Sequence, residues 1–380
     1  MPTLKTSPYD VIIIGAGVNG CCSAYTLHRA GLRVALIDQN GIASGGSGAA
    51  GAFISPKISK AGELKEIMSE AHTEALDFYT TNFPNFTLVK PLLHIANSPK
   101  EGEKVESFIR DTHLKHSNIP HKIQTLLSDE AQNAASIYFD TGAIVDAQGV
   151  CRAMVDGIDF YCFKAEHITH ENGLWQVGNL HAKHLVLSIG AYPKLLPVDY
   201  VGLRGIWGHR IDIETSTHIP CILHQHVSIS PTNKEGIVAI GATHDVHYSP
   251  FSGEPYDLVQ GREILLEKAS KTLMLNNIIV LADYTGLRSG SNDYLPMLGN
   301  LVNADATLAK YPHIRHGQAV NPTDYLYYPN VTMINGSGGY GFVLAPYLAK
   351  RLKEFIADGF EMDPILSPSR FFPRWAKRQS

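Results

Sequence analysis

The stretch Asp10-Val-Ile-Ile-Ile-Gly-Ala-Gly-Val-Asn-Gly20 decides the fold of this chain. It begins as a β-branched apolar run of strand length and leads into a segment of helical composition, from Val18 to Ala30, that ends at Gly31. A second buried strand is predicted from Arg33 to Asp38. The order strand, helix, strand predicts a right-handed βαβ unit.

Glycines at the end of the first strand form a GxGxxG motif, at Gly15, Gly17 and Gly20. The first permits a tight turn, the second lets the backbone approach a pyrophosphate, and the third lets the helix pack on the strand. The pyrophosphate would lie at the helix N-terminus, and Asp38 is placed to accept the ribose hydroxyls. NAD and FAD both suit this motif. A second glycine-rich stretch, Ala43-Ser-Gly-Gly-Ser-Gly-Ala-Ala-Gly-Ala52, favours FAD, since a longer dinucleotide needs a further place of close backbone approach.

The composition is that of a globular enzyme, with 44% hydrophobic and 18% charged residues in a chain of 380. No apolar run approaches the roughly 18 residues that span a bilayer, and the first ten residues do not form a secretory signal, so we expect a cytoplasmic protein without membrane contact. With a formal net charge of −4, the chain does not have the overall basic charge of a strong nucleic-acid binder. Any polyanion must therefore bind to a local cluster of basic residues.

Other functional classes have no residues to support them. The five cysteines lack metal-ligand spacing and are expected to be free thiols. The histidine pairs His224/His226 and His244/His247 do not have helical i, i+4 spacing, so we predict no metal site. No GxSxG elbow or Walker loop is present, which argues against a hydrolase or a kinase.

Further elements follow from periodicity and composition. Apolar residues at helical spacing predict a long amphipathic helix from Gly62 to Phe83. Strands are predicted at 185–189, 237–240 and 331–334. The last strand enters Gly336-Ser-Gly-Gly-Tyr-Gly341 and then a helix from Phe342 to Ala357 that is closed by Gly359.

A series of motifs runs along most of the chain: the GxGxxG fingerprint, Ala43-Ser-Gly, Ser188-Ile-Gly-Ala191, Ile240-Gly-Ala-Thr243, Gly286-Leu-Arg-Ser-Gly290 and Gly338-Gly-Tyr-Gly341. This series resembles the D-amino-acid oxidase and glycine oxidase family of FAD enzymes. The resemblance implies a mixed α/β fold with a Rossmann-type FAD-binding domain and a smaller substrate domain built on an antiparallel sheet. We expect the discontinuous FAD-binding domain to comprise residues 1–85, 140–205 and 280–380, and the substrate domain to comprise 86–139 and 206–279.

Four further segments narrow the resemblance: Asp293-Tyr-Leu-Pro-Met-Leu-Gly-Asn300, Ala304-Asp-Ala-Thr-Leu308, Ala345-Pro346 and Pro368-Ser-Arg-Phe-Phe-Pro-Arg374. Within the family they look most like the oxidase domains of bifunctional bacterial enzymes that modify the wobble uridine of certain tRNAs. Because the fingerprint starts at Gly15, we expect only the oxidase half here, with a separate methyltransferase as a candidate partner. The oligomeric state is left open.

The resemblance implies FAD as the cofactor and assigns it a set of binding residues. We expect it to be bound non-covalently, because neither 285–299 nor 337–345 contains a cysteine that could form a thioether. Backbone N–H groups of the last glycine-rich turn would stabilise negative charge near the flavin N1 and O2. The assigned residues are Gly15, Ala16, Gly17, Asn19, Gly20, Asp38, Gln39, Ser44, Gly46, Ser47, Gly51, Ala52, Ala165, Gly190, Gly338, Gly339, Tyr340, Gly341 and Phe342.

The resemblance also assigns a substrate anchor. Arg288 aligns with the arginine that holds the substrate carboxylate, and a guanidinium pairs bidentately with a carboxylate while keeping its proton. His226 is a candidate for substrate contact. Ser228 replaces a tyrosine found in glycine oxidases, and Gly339 replaces a second arginine found in some of them. A free small amino acid would therefore be held less completely here.

The family chemistry is hydride removal from the carbon between amine and carboxylate to flavin N5, followed by hydrolysis of the imine. The preferred substrate is the carboxymethylaminomethyl arm of tRNA wobble uridine, which would release glyoxylate. The first alternative is a free glycine, sarcosine or D-amino-acid oxidase. The second is a flavin-bearing subunit of a larger dehydrogenase, without turnover of its own.

The C-terminal segment alternates basic and aromatic residues. Arg370, Arg374, Lys377 and Arg378 alternate with Phe371, Phe372 and Trp375. The basic side chains could contact phosphates, while the aromatic ones either stack on bases or pack back onto the domain. The sequence leaves both arrangements open.

Overall fold

The structure of this protein is a computed structural model that describes residues 7–59, 62–192 and 194–379. The described residues divide into two compact units of nearly equal length. The first unit comprises Met1–Ser44, Cys151–Gly205 and Arg288–Ser380, and the second comprises Gly45–Val150 and Ile206–Leu287.

The strands, in chain order, are β1 Tyr9–Ile14, β2 Val34–Asp38, β3 Phe53–Ile54, β4 Thr87–Ile95, β5 His116–Ser117, β6 Ser136–Val145, β7 Asp159–Cys162, β8 Ile168–Glu171, β9 Leu174–Val177, β10 Leu180–Leu187, β11 Leu203–Glu214, β12 Ile222–His224, β13 Ser228–Ile229, β14 Ile237–Gly241, β15 Ile279–Ser291, β16 Met297–Val302 and β17 Tyr327–Asn335. The helices are α1 Val18–Arg29, α2 Glu63–Asn82, α3 Pro99–Asp111, α4 His121–Gln124, α5 Asp129–Gln132, α6 Ala147–Val155, α7 Leu258–Ser270, α8 Ala304–Lys310, α9 Gly341–Asp358 and α10 Phe372–Ala376. Short 3₁₀ turns lie at Pro84–Phe86, Pro312–His316, Pro322–Asp324, Gly338–Tyr340 and Pro368–Phe371.

The first unit is built on a mixed sheet with the strand order β16-β17-β10-β1-β2-β7. β1 pairs in parallel with both β2 and β10, and parallel pairing continues to β7 and β17. β16 and the β8–β9 hairpin add antiparallel pairs. Almost every residue of β1 is buried, as expected for a parallel strand covered on both faces. The predicted βαβ unit is confirmed.

The second unit is built on a sheet with the order β15-β11-β14-β13-β12-β4-β6-β3. β14 pairs antiparallel with β11 and β13, β13 with β12, and β6 with β3 and β4, whereas β4 and β12 pair in parallel. Ile123 of α4, Ala131 of α5 and Leu265 of α7 pack in one apolar cluster with Ile211 and Ile240 of the sheet. The mixed α/β fold with a Rossmann-type part is therefore confirmed, and the second sheet is largely antiparallel.

The boundaries of the two compact units differ from those expected for the two domains. Residues 45–85, 140–150 and 280–287 were assigned to the cofactor-binding domain, but the structure places them in the second unit. The cause is strand pairing distant in sequence, because β3 pairs with the end of β6 and β6 pairs with β4. The second unit is for the same reason not notably smaller than the first. Within the described part of the chain, no helix has the length and apolar character needed to cross a membrane.

Candidate active site

The turn after β1 brings backbone segments of the first unit into close approach. Gly15 has a φ of 106°, in the left-handed region that favours glycine, and a Cβ atom there would lie 2.2 Å from the carbonyl oxygen of Ser188. A Cβ atom at Gly20 would lie 1.8 Å from the carbonyl oxygen of Gly15. Glycine is therefore needed at both positions for α1 to pack on β1 beside the end of β10.

Helix α1 begins directly after this turn. Its N-cap residue, Gly17, has extended backbone, with φ −72° and ψ 179°, and makes no side-chain capping hydrogen bond. The first helical turn contains no acidic residue. Its N–H groups and the positive end of the helix dipole thus meet no carboxylate of the first turn, which suits a pyrophosphate.

Asp38, at the end of β2, organises the same turn. Its Oδ2 accepts a hydrogen bond from the backbone N–H of Ala16 at 2.8 Å. Its Oδ1 accepts from the backbone N–H groups of Asn40 at 2.8 Å and Gly41 at 3.2 Å, and from Ser44 Oγ at 3.3 Å. These contacts use most of the four lone-pair sites of a carboxylate. Asp38 therefore fixes the loop itself, and its bond to a ribose stays a prediction.

The turn after β17 is held by Asn335, a residue that the sequence analysis did not single out. Its Nδ2 donates to the carbonyl oxygen of Gly190 at 2.9 Å, and its Oδ1 accepts from Gly336 N at 2.8 Å and Ser289 Oγ at 2.7 Å. One buried amide side chain thus joins the ends of β10, β15 and β17. Its position as the last strand residue before a glycine run is a signal that could have identified it.

Two helix N-termini of the first unit lie side by side. Asn19 Nδ2 of α1 donates to Ser337 Oγ at 3.1 Å, and a Cβ atom at Gly341 would lie 3.3 Å from Val18. Helix α9, like α1, has no acidic residue in its first turn and no side-chain cap. Adjacent helix N-termini without carboxylates form a surface that favours anions.

Space is left open at the glycine-rich turn itself. At Gly338, which has a φ of 56°, and at Gly339, a Cβ atom would meet no described atom within 4 Å. The backbone of this turn is therefore accessible to a planar group, as the sequence predicts for the flavin ring. Contact of Gly338, Gly339 and Tyr340 with FAD stays a prediction.

Arg288 lies on β15, immediately before residues that bind the same turn. Ser289 contacts Asn335, and Gly290 forms an antiparallel bridge with Ser337. Burial lowers the pKa of Arg288, because a low-dielectric environment penalises the charged guanidinium. A half-buried guanidinium is suited to hold a carboxylate as a charge-assisted hydrogen-bonded pair. The structure thus puts Arg288 in suitable surroundings, and its anchoring role stays a prediction.

The second glycine-rich stretch continues in the second unit with the predicted cofactor residues Gly46, Ser47, Gly51 and Ala52. A Cβ atom at Gly286 would lie 2.7 Å from Gly46 Cα, so β15 and this loop approach backbone to backbone. The carbonyl oxygen of Ala52, whose φ is 45°, accepts from Val145 N at 3.1 Å. The close approach of the loop to β15 therefore explains why small residues are needed there. Their contact with FAD stays a prediction.

His226 lies between β12 and β13 in the second unit. Its Nε2 is 2.7 Å from Glu130 Oε1, so one ring nitrogen already has a partner on α5. Ser228, where glycine oxidases tend to have a tyrosine, pairs with both His224 and Gly241 in the sheet. A substrate contact by His226 would have to use its other nitrogen or displace Glu130.

The remaining predicted cofactor residues lie at several places in the first unit. Gln39 is exposed after β2, and Ala165 is half-buried against the core. Gly190, with a φ of 63°, accepts the hydrogen bond from Asn335, and Phe342 is buried in the first turn of α9. Gly190 and Phe342 thus lie at the joined turn, while nothing in the packing of Gln39 and Ala165 assigns them a cofactor contact.

The histidines do not assemble into a metal site in the described residues, where no group of three metal-ligating side chains is found. His224 packs edge-on against Phe53, with ring centroids 5.2 Å apart, and burial of its ring nitrogens lowers its pKa to about 3. It is therefore neutral at ordinary pH. The described cysteines form no disulfide.

The C-terminal segment packs onto the first unit. Phe372 is fully buried, stacks on Trp375 and contacts Tyr200 edge-on at 5.6 Å. Of the basic residues, Arg370 is held by Asp293, whereas Arg374, Lys377 and Arg378 are exposed. Phe372 thus belongs to the core, Phe371 and Trp375 are half-buried against it, and the exposed basic side chains are available to meet a phosphate.

Comparison with known proteins identifies the class that this fold and site define. The family model described as FAD dependent oxidoreductase, DAO, matches residues 10–355. The chain belongs to this family of FAD-dependent oxidoreductases.

Two relatives are similar in sequence to this protein over most of its length. It is 25% identical to the tRNA 5-methylaminomethyl-2-thiouridine biosynthesis bifunctional protein MnmC of Leptospira interrogans, over 97% of this chain and 61% of that protein. It is 22% identical to the protein of the same name from Legionella pneumophila strain Corby, over 95% of this chain and 57% of that protein. The chain spans about three fifths of the length of these relatives.

Solved structures share the fold. Glycine oxidase from Geobacillus kaustophilus superposes with a TM-score of 0.75 at 17% identity, covering 96% of this chain and 99% of its own. Iminodiacetate oxidase from Chelativorans sp. BNC1 gives 0.69 at 17% identity, covering 94% and 98%. The FAD-bound L-alpha-glycerophosphate oxidase of Mycoplasma pneumoniae gives 0.73 at 14% identity, covering 96% and 98%.

FAD is the cofactor of this family, and the first unit fits it. At one turn, Gly15 and Gly20 leave no room for a Cβ atom. At the other, the backbone of Gly338 and Gly339 faces open space. Both lead into helices whose first turns have no acidic side chain. Such a surface suits a pyrophosphate and an electron-rich flavin edge.

Proposed function

We propose that this enzyme oxidises the C–N bond of an N-substituted glycine, namely the carboxymethylaminomethyl arm on the wobble uridine of tRNA. The observation that carries the proposal is the position of Arg288, a half-buried arginine next to residues bound to the Asn335 turn. A carboxylate is the partner that its geometry and charge favour.

The identity of the relatives supports a tRNA-borne substrate. The two MnmC proteins match nearly all of this chain, and their name refers to a methylaminomethyl group on a thiouridine of tRNA. The departures at Ser228 and Gly339 point the same way, because both remove a side chain that would help to hold a free amino acid. A substrate attached to a polynucleotide gains its binding energy elsewhere.

The protein's part in the reaction is to bind and orient. Gly15, Gly17 and Gly20, with the N-termini of α1 and α9, would hold FAD, which when bound supplies the two-electron oxidation. Arg288 would anchor the carboxylate and so fix the adjacent carbon for oxidation. Loss of a hydride and a proton gives an imine between that carbon and the nitrogen. Water adds to the imine, the C–N bond breaks, and glyoxylate leaves while the aminomethyl group remains on the uridine.

The product implies a following reaction. An aminomethyl group differs from the methylaminomethyl group in the relatives' name by one methyl group on nitrogen. A methyl transfer must consume this product if the same modified nucleoside is made. The relatives are named as bifunctional proteins, and we propose a methyltransferase activity as the partner that consumes this product.

Product analysis tests the proposal. Purified holoenzyme is incubated with tRNA that bears the carboxymethylaminomethyl arm, and the digested nucleosides are analysed by mass spectrometry while glyoxylate is assayed. We expect aminomethyl nucleoside and glyoxylate in equal amounts. An unchanged arm, together with consumption of glycine or sarcosine under the same conditions, would establish a free amino-acid oxidase instead. No response to either class, with a flavin that remains photoreducible, would favour a subunit without turnover.

A further inference from the structure

The loop that follows β15 presents an aromatic ring to solvent. Tyr294 is 64% exposed and has a φ of 68°, in the left-handed region that a tyrosine seldom adopts. Neither burial nor backbone preference stabilises this arrangement. A residue kept in such a conformation by its surroundings is a common sign of a functional contact.

Contacts on both sides fix the loop. Asn292 N donates to the carbonyl oxygen of Gly202 at 3.0 Å, and a Cβ atom at Gly202 would lie 2.6 Å from Asn292 Nδ2. Asp293 accepts two hydrogen bonds from Arg370, at 2.8 and 3.1 Å. The ring of Tyr294 is therefore held on a rigid support.

A cation lies against this ring. The Cζ atom of Arg204 is 4.9 Å from the ring centroid of Tyr294, and its Nη2 donates to the carbonyl oxygen of Ser291 at 3.3 Å. The guanidinium attracts the ring through its quadrupole and holds it in place. It also adds positive charge beside the ring, where a phosphate of a polynucleotide would be attracted.

We propose that Tyr294 stacks on a nucleobase next to the oxidised uridine, with Arg204 supporting the ring. This inference rests on the proposed function and adds to it the group that recognises the polynucleotide. The loop follows directly from the strand that carries Arg288, so one segment holds the carboxylate anchor and the stacking ring. Stacking tolerates any base, because every base has a π face. It provides binding energy that a free amino acid cannot use.

Substitutions at Tyr294 test the inference without disturbing the loop. Tyr294→Gly removes the ring and suits a φ of 68°, while Tyr294→Phe keeps the ring. Phe360→Gly is the matched control, since Phe360 is 63% exposed in the same unit. Each holoenzyme is assayed for binding of a fluorescent anticodon stem-loop by anisotropy. Each is also assayed for kcat/KM with arm-bearing tRNA and with the free carboxymethylaminomethyl nucleoside.

We expect Tyr294→Gly to weaken stem-loop binding about tenfold and to lower the ratio of kcat/KM for tRNA over nucleoside by a similar factor, through KM. Tyr294→Phe should keep the stem-loop affinity and the kcat/KM ratio within about twofold of wild type, and Phe360→Gly should change neither quantity. Wild-type turnover of tRNA together with undiminished stem-loop binding by Tyr294→Gly would overturn the stacking role alone. Oxidation of sarcosine without binding or turnover of RNA by the wild type would overturn the proposed function and this inference together. A change in oligomeric mass of Tyr294→Gly without a change in RNA affinity would show that the ring is a protein contact.

Discussion

Arg370 and Asp293 form a bidentate ion pair, with Nε 2.8 Å from Oδ2 and Nη2 3.1 Å from Oδ1. The remaining donors of Arg370 reach the carbonyl oxygens of Leu295, Leu366 and Ser367. One side chain of the C-terminal segment thus fixes the loop that follows the strand of Arg288. The tail is in this way a structural part of the first unit.

Arg370→Ala should lower the stability of the protein by about 1–3 kcal/mol, because it leaves several acceptors without their charged donor. Chemical denaturation gives the free energy of unfolding. Arg374→Ala, an exposed neighbour, is the control and should change it little. Equal stability of the two variants would contradict the tethering role.

The ion pair also predicts a pH dependence. Burial raises the pKa of Asp293, but the hydrogen bonds and charge of Arg370, together with hydrogen bonds from Leu295 N and Ser291, outweigh it, so the pKa lies below its ordinary 3.8. A carboxyl group whose pKa is lowered by folding stabilises the protein above the ordinary pKa, and the stabilisation is lost as pH falls through the folded value. The difference in unfolding free energy between wild type and Arg370→Ala should therefore shrink below about pH 3.8. A constant difference down to acid unfolding would contradict this.

Asp38→Ala should reduce FAD content, because three backbone N–H groups of the cofactor loop lose their shared acceptor. We expect an increase of about tenfold or more in the dissociation constant of FAD. Flavin released by acid precipitation is measured against protein, which also tests the prediction that FAD is non-covalent. Asp199→Ala, which removes an exposed ion pair with Lys194, is the control. Full flavin content in Asp38→Ala would refute this account of the loop.

The sequence was sufficient for the parts of the fold that local patterns determine. The predicted helix from Val18 to Ala30 is observed as Val18–Arg29, and the predicted helix after the last glycine run is observed as Gly341–Asp358. The apolar periodicity of these helices and the glycines at their ends are local signals. Tertiary packing does not change the structure that they predict. Gly15 and Gly20 were predicted for the same reason, since their turn is defined within a few residues.

What the sequence missed depends on contacts between distant segments. The pairing of β3 with β6 places residues 45–85 in the second unit, and no local pattern records which strands pair. The Asn335 contacts and the Arg370–Asp293 pair likewise join residues far apart in sequence. The alternation of aromatic and basic residues in the tail was compatible with either base stacking or packing onto the domain. The structure buries Phe372 and packs Phe371 and Trp375 against the core.

Arg288→Lys should retain FAD but lower kcat/KM by a factor of about 100 or more, since a bidentate charged contact is worth roughly 3 kcal/mol. Steady-state kinetics with the arm-bearing tRNA measures it, and Arg288→Ala should be worse. Arg351→Lys serves as the control, because Arg351 is another half-buried arginine of the first unit, where it packs on the ring of Tyr347. Normal turnover by Arg288→Lys would show that the carboxylate is held elsewhere.

Replacing Arg374, Lys377 and Arg378 together by glutamine should weaken tRNA binding and flatten its dependence on salt. The slope should fall by about one for each phosphate that the tail no longer neutralises. These side chains are exposed, so FAD content and stability should not change. A variant with Lys100, Lys115 and Lys234 replaced by glutamine removes the same charge from exposed positions of the second unit. Equal salt slopes in both variants would place the phosphate-binding residues away from the tail.

Anaerobic mixing of the holoenzyme with substrate is the most direct test of the central claim. Reduction of the bound flavin removes its visible absorbance, so loss of colour reports oxidation of the substrate irrespective of the final electron acceptor. We expect rapid bleaching by tRNA that carries the carboxymethylaminomethyl arm and little or none by glycine, sarcosine or tRNA without the arm. Bleaching by glycine or sarcosine, with no response to the arm-bearing tRNA, would contradict the account.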